Sequence, residues 1–297
     1  MIQYRMRYNR LVIVISLTII FFIAYYVPRV ERFESSSDKL VTVKLQGGFG
    51  NQMFQTACML GYAEKYGYKP VFVDEPRNAA NHSDSKLGLR YFFPDVPVIT
   101  HNVSWIDYRE SDTDCYRYNI IPQLGDNVKL IGYFQTEKYF PTKYVIQYSP
   151  KNTGPSYDFN NMFFMHIRRG DYLHAGNGVH LINYDSYYQQ CLNEFSRSNI
   201  CLVVSDDIEW CKRHLPKKYS SWKNWEFIDA KVSDADTLNY MVQCKRGGIC
   251  ANSSFSWWAA YFLHKLNNTA KICMPSAWHK NYEAVDVVPE WAIKINT

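Results

Sequence analysis

Asn161-Met162-Phe163-Phe164-Met165-His166-Ile167-Arg168-Arg169-Gly170-Asp171 joins an apolar run directly to two adjacent guanidiniums, and its reading decides the fold. An unbroken apolar run of strand length reads as a strand covered on both faces, as in a parallel sheet flanked by helices. The charged residues then fall at that strand's carboxyl end. In open α/β sheets ligands collect outside the carboxyl ends of the strands, and guanidinium is the side chain best shaped to grip phosphate with paired hydrogen bonds. The expectation is an α/β protein that holds a diphosphate-bearing ligand on Arg168 and Arg169. A solvated loop or an interdomain ion pair would use the same residues, so the rest of the chain has to decide.

Downstream, the pattern repeats. Strand-like runs at 200–204, 225–228, 249–251 and 272–274 alternate with helical spacings through Tyr187, Tyr188, Cys191, Leu192 and Phe195, from Ile208, through Leu238, Met241 and Val242, and through Phe255, Trp258, Ala259 and Phe262. Such alternation predicts a parallel sheet with helices on both faces. Upstream, residues 40–45 alternate Val41, Val43 and Leu45 against Thr42 and Lys44, then run into Gly47-Gly48-Phe49-Gly50-Asn51-Gln52 and a helical face through Met53, Phe54, Ala57 and Leu60 that Gly67 and Pro70 stop. This β-glycine loop-α unit brings the chain close to something at a helix amino terminus. Residues 78–126 are polar and weakly periodic and say little, while 149–155 concentrate turn residues and read as a linker. The expected organisation is a first lobe over 40–150 and a second, ligand-binding lobe over 156–297, facing each other across a cleft.

The apolar stretch 11–27, with Arg5, Arg7 and Arg10 before it, predicts a retained transmembrane anchor, a cytosolic tail over 1–10 and a short stem over 28–39. A cleaved signal peptide would end in small residues, whereas this stretch ends Tyr25-Tyr26-Val27-Pro28. Everything after the anchor is then lumenal, in type II topology, and the short span suits the thinner membranes of the early secretory pathway. Eight cysteines in a lumenal chain make one or more disulfides plausible. The sequons at Asn81 and Asn102 lie in loop-like surroundings and are the expected N-glycosylation sites; Asn252 heads a sequon inside a ligand-binding pattern that must stay bare. A net charge of +5 with no basic stripe excludes nucleic acid as partner.

Further polar clusters end strands. Ser205-Asp206-Asp207 and Ser233-Asp234-Ala235-Asp236 each read either as helix caps or as ligand contacts. Asn252-Ser253-Ser254 opens a helix after an apolar strand, where hydroxyls and unpaired N–H groups favour a phosphate. Phe255, Trp258 and Phe262 behind it read as core. Asp112-Thr113-Asp114 has a short D-x-D form, but no apolar strand precedes it, so no metal is expected and arginine supplies the countercharge. Gly48 and Gly50 have the spacing of a dinucleotide fingerprint, with Asp74 as the ribose acid, but Met53 stands where the third glycine belongs, which argues against a nicotinamide or flavin enzyme.

In chain order, Gly47 to Gln55, His166 to Tyr172 and Asn252 to Ala260 resemble the corresponding blocks of the α-1,2-fucosyltransferases, family 11 of the glycosyltransferases. The resemblance implies a GT-B-like fold of two Rossmann-like lobes behind the anchor, and a Golgi membrane enzyme. It implies inverting transfer of fucose from GDP-fucose to the 2-hydroxyl of a terminal galactose or related sugar on a glycan, without cofactor or metal. Carried onto this chain, Arg168 and Arg169 hold the diphosphate and stabilise departing GDP. His166 and Asp236 lie near guanine or ribose. Asn252, Ser253 and Ser254 belong to the phosphate contact at that helix start, and Gly48, Gly50 and Asn51 let backbone approach the donor. Asp171 either orients the arginines or accepts the acceptor's proton, with His174 and Asp74 as other bases. Another linkage or acceptor, or an inactive membrane-tethered glycan-binding relative, are the alternatives.

Overall fold

A computed structural model describes residues 38–74, 85–111, 116–144, 146, 148, 157–173, 184–228, 232–280 and 285–297. The anticipated tail and anchor, nearly all of the stem, the linker at 149–155, Asn81, Asp112 to Asp114, Cys115 and His174 lie outside the described residues. Among the described residues no helix is long and apolar enough to cross a membrane.

The first lobe is built on a parallel sheet of β1 (Leu40–Val43), β2 (Lys69–Pro70), β5 (Ile106–Arg109) and β6 (Val128–Ile131), in spatial order β2-β1-β6-β5. The strands β3 (Phe72–Val73) and β4 (Val98–Ile99) pair separately. Helix α1 (Phe49–Tyr66) follows β1 through the glycine loop. Its apolar face buries Met53, Phe54, Ala57 and Leu60, and Gly67 closes it in the left-handed conformation, with its N–H on the Ala63 carbonyl. Two glutamines on α1 stay inside because they bind the loop before it. Gln55 exchanges hydrogen bonds with the backbone of Gln46 at 3.0 and 3.2 Å, and Gln52 Nε2 donates to the Gly47 carbonyl at 2.9 Å. The polar stretch that sequence left unread holds α2 (Ser85–Phe92), β4 and β5.

The second lobe has six parallel strands: β7 (Met162–Ile167), β8 (Ile200–Ser205), β9 (Trp225–Phe227), β10 (Gly247–Ile249), β11 (Lys271–Pro275) and β12 (Ile293–Ile295), in spatial order β12-β11-β10-β7-β8-β9. Renumbered by appearance, that order is 3-2-1-4-5-6 from the β9 edge, the doubly wound arrangement whose direction reverses between β7 and β10. Helices α3 (Tyr184–Asn193), α4 (Ile208–Lys218), α5 (Asp234–Gln243) and α6 (Ser254–Leu266) connect the strands. β7 is buried at every position, as its apolar run requires.

One core runs through both lobes. Trp257 and Trp258 on α6 are fully buried, with rings 4.5 and 5.2 Å from that of Phe54 on α1. The disulfide expectation fails among the described residues: Cys58, Cys191, Cys201, Cys211, Cys244, Cys250 and Cys273 are all buried free thiols. They serve as small apolar side chains, and burial raises the pKa of the Cys58, Cys201 and Cys250 thiols.

Candidate active site

The reversal between β7 and β10 places two loops side by side, Arg168 onward and Cys250 to Ser253, and Tyr172 bridges them by donating to the Asn252 carbonyl at 3.0 Å. The neighbouring strand supplies the arginine partners. Because β7 and β8 run parallel with Ile167 opposite Ser205, their extensions carry Arg168-Arg169 alongside Asp206-Asp207. Arg168 pairs with Asp206 Oδ2 at 2.8 Å and with Asp171 Oδ1 at 2.6 Å. Arg169 donates from Nε to Asp207 Oδ2 at 3.1 Å and from its backbone N–H to Asp206 Oδ1 at 2.8 Å, while its guanidinium lies 3.6 Å over the Trp210 ring. Three carboxylates therefore hold two guanidiniums, and five N–H donors per guanidinium let each hold a carboxylate and a ligand together. Asp207 also caps α4, accepting from the Trp210 N–H at 3.3 Å, so the capping reading of this acid is realised beside its pair with Arg169.

His166 is buried on β7, and its pKa is pushed down to about 3 by desolvation first and by the Arg168 charge second. It is a neutral imidazole at physiological pH. Among the described residues its Nδ1 has no hydrogen-bond partner, and its ring meets Phe255 edge-on at 5.8 Å.

Two helix amino termini meet beside these groups. An ideal Cβ on Gly50 would stand 2.5 Å from the Ser254 carbonyl carbon and 2.6 Å from the Phe255 nitrogen, so this glycine admits the backbone of α6 and not only a ligand. Gly48, by contrast, faces open space. Among the described residues neither α1, capped by Gly48, nor α6, capped by Ser253, has a side-chain hydrogen bond at its cap. Their first N–H groups and aligned dipoles thus make a converging electropositive end suited to an anion. Asn51 joins the lobes there: its Oδ1 accepts from Ser254 Oγ at 2.5 Å and from Gln135 Nε2 at 2.7 Å.

The structure thus gathers His166, Arg168, Arg169, Asp171, Gly50, Asn51, Asn252, Ser253 and Ser254 around one junction. Asn252 is buried and spends its amide on the Trp278 carbonyl at 2.9 Å, shaping the loop. Asp236 completes the capping box of α5, accepting from Ser233 Oγ at 2.7 Å while its N–H donates back to Ser233 Oγ at 3.2 Å, so capping is the role the geometry displays. Asp74, after β3, is exposed. Asn102 is exposed. Trp210 and Gln135 were not singled out in sequence, whereas the doubled acid Asp206-Asp207 after an apolar strand was read there as cap or ligand contact; what the fold adds is that Asp206 holds Arg168.

The chain is 28% identical to the Alpha-1,2-colitosyltransferase of Escherichia coli over 293 residues, covering 86% of this chain and 99% of that protein. It is 26% identical to the O-antigen biosynthesis glycosyltransferase WbnK of Escherichia coli over 135 residues, covering 39% and 43% of the two chains. Among solved structures, fucosyltransferase NodZ from Bradyrhizobium superposes with a TM-score of 0.41 at 12% identity, covering 75% of this chain and 93% of that one. For the E. coli ADP-heptose lps heptosyltransferase II the TM-score is 0.47 at 8% identity, with 86% and 90% covered. The protein is a glycosyltransferase. Residues 157–294, essentially the second lobe, match the model of Glycosyl transferase family 11.

Proposed function

We propose that this enzyme transfers L-fucose from GDP-fucose, with inversion, to the 2-hydroxyl of a terminal galactose or related sugar on a glycan. The observation that carries the reading is the placement of Arg168, Arg169 and the amino terminus of α6 at the strand-order reversal, where a nucleoside diphosphate is favoured. The acceptor oxygen attacks the anomeric carbon as that carbon's bond to the β-phosphate oxygen breaks, and the hydroxyl proton leaves to the Asp171 carboxylate or to solvent. Charge grows on departing GDP, and Arg168, Arg169 and the N–H groups of α6 stabilise it. Asp171, tied to Arg168, orients the pair. In this reading the countercharge comes from the protein and no metal is required. In the same reading residues 11–27 anchor the chain in the Golgi membrane with the catalytic part lumenal and glycans on Asn81 and Asn102, supported by the apolar run and its arginine flank.

A second donor, one carrying colitose, is favoured by the name of the relative that this chain matches along most of its length. The test incubates the protein with GDP-fucose, a galactose-terminated oligosaccharide and EDTA, and assigns the product linkage by NMR. A 1,2-linked fucoside supports every element together; intact donor and no GDP release overturn the donor assignment.

A further inference from the structure

The first lobe contains a strained turn whose one evident use is to deliver an amide to the lobe junction. Phe134, just after β6, has φ +51°, a left-handed conformation that a bulky residue seldom adopts. Such conformations persist only where their surroundings over-determine them, and they cluster at functional sites. Here the surroundings are explicit. Glu110, just after β5, accepts from the N–H groups of Tyr133 and Phe134 on one oxygen, Oε2, at 2.7 and 2.9 Å. The Phe134 ring is fully buried against Tyr139 at 5.5 Å, and the Thr136 N–H turns back to the Phe134 carbonyl at 2.8 Å.

That turn projects Gln135 inward. The residue is 7% exposed, its Nε2 donates to Asn51 Oδ1 at 2.7 Å, and its Oε1 is buried without a partner among the described residues. An isolated fold gains nothing from a bulky residue in a left-handed turn followed by a half-satisfied buried amide. Both features have a purpose if the amide's task is to fix Asn51, whose same oxygen takes the Ser254 hydroxyl at 2.5 Å.

We propose that Gln135 is a positioning residue for the donor site: through Asn51 it holds the Ser254 hydroxyl, and with it the amino terminus of α6, in register with α1. Glu110 and the Phe134 turn are the rigid mount that aims it. The proposal rests on the reading of the α6 terminus as the diphosphate site, and its structural half stands apart from that reading. Gln135 touches neither arginine in the contacts described, so it acts on donor binding and not on the chemical step.

The test uses Gln135→Met, which keeps length and burial but cannot donate a hydrogen bond, alone and combined with Asn51→Ala. Amide hydrogen exchange over residues 49–53 and 254–258 should quicken about tenfold in Gln135→Met, an outcome that needs no substrate. With GDP-fucose, KM should rise about five- to tenfold with kcat within about twofold, and adding Gln135→Met to Asn51→Ala should produce no further change. Unchanged exchange at both helix starts overturns the proposal whatever the donor. Additive effects of the two substitutions overturn the route through Asn51. Faster exchange with no turnover or binding of GDP-fucose by the unsubstituted protein keeps the positioning role and removes the donor assignment.

Discussion

Trp258 Nε1 donates to the Gly50 carbonyl at 3.0 Å, across 208 residues of sequence and from one lobe to the other. The bond closes a junction in which Gly50 leaves room for the Ser254–Phe255 backbone and Phe54 packs on both tryptophans. The two lobes are thus joined at the junction where the site lies, and the site depends on that contact.

Gly50→Ala should therefore destabilise the protein by about 1–3 kcal/mol despite the better helix propensity of alanine, because backbone cannot yield as a side chain does. Gly48→Ala, with nothing within 4 Å of its Cβ and no positive φ, should leave the urea midpoint unchanged. Equal midpoints for the two variants would show that the junction is not tight.

Arg168→Lys should lower kcat by ~10²–10³-fold, since an ammonium cannot span Asp206, Asp171 and a phosphate together. Thermal stability should hardly change, because the side chain is 34% exposed and exposed ion pairs contribute little. Steady-state kinetics with GDP-fucose reads the effect, and retention of more than a tenth of the activity would remove Arg168 from the phosphate contact.

Asp206→Asn should act on both arginines, weakening the pair with Arg168 while keeping an oxygen for the Arg169 N–H. A loss in kcat/KM of about tenfold is expected, smaller than for Arg168→Lys because Asp171 still holds the guanidinium. In an Arg168→Ala background the same change should have almost no effect, and a double-mutant cycle reads that coupling.

His166 gives the stability a defined acid limb. Burial and then the Arg168 charge hold its pKa at about 3 against an ordinary 6.5, so between those values the unfolded chain binds a proton that the folded chain refuses. Stability is fully present above pH 6.5 and falls as pH drops through the window. Urea unfolding at about pH 6.5 and about pH 4.5 should differ by about 2–3 kcal/mol more in the native protein than in His166→Asn. Parallel acid limbs would show that the imidazole is already charged when folded.

Sequence by itself determined the parts of this protein that are locally encoded. The apolar run from Met162 to Ile167 is a buried strand and the arginines do follow its end; the glycine loop does open a helix; the serines after Asn252 do head another. Residue spacing and side-chain chemistry suffice for these, because burial on two faces and a free helix terminus are properties of a short segment. The tertiary structure alone decided what each group holds. Asp206 meets Arg168 only because β8 lies beside β7 in parallel register, and Gln135 reaches Asn51 only because β6 pairs with β1. The strand read at 249–251 lies two residues earlier for the same reason: β10 opens on Gly247 and Gly248, poor strand formers, kept where a Cβ on Gly248 would enter the Phe164 ring of the adjacent strand. The cysteines, read as a disulfide inventory from their number, became core thiols once the fold placed seven of them in apolar surroundings. Pairing across a sheet or between lobes brings together residues far apart in sequence, and no local periodicity carries that information.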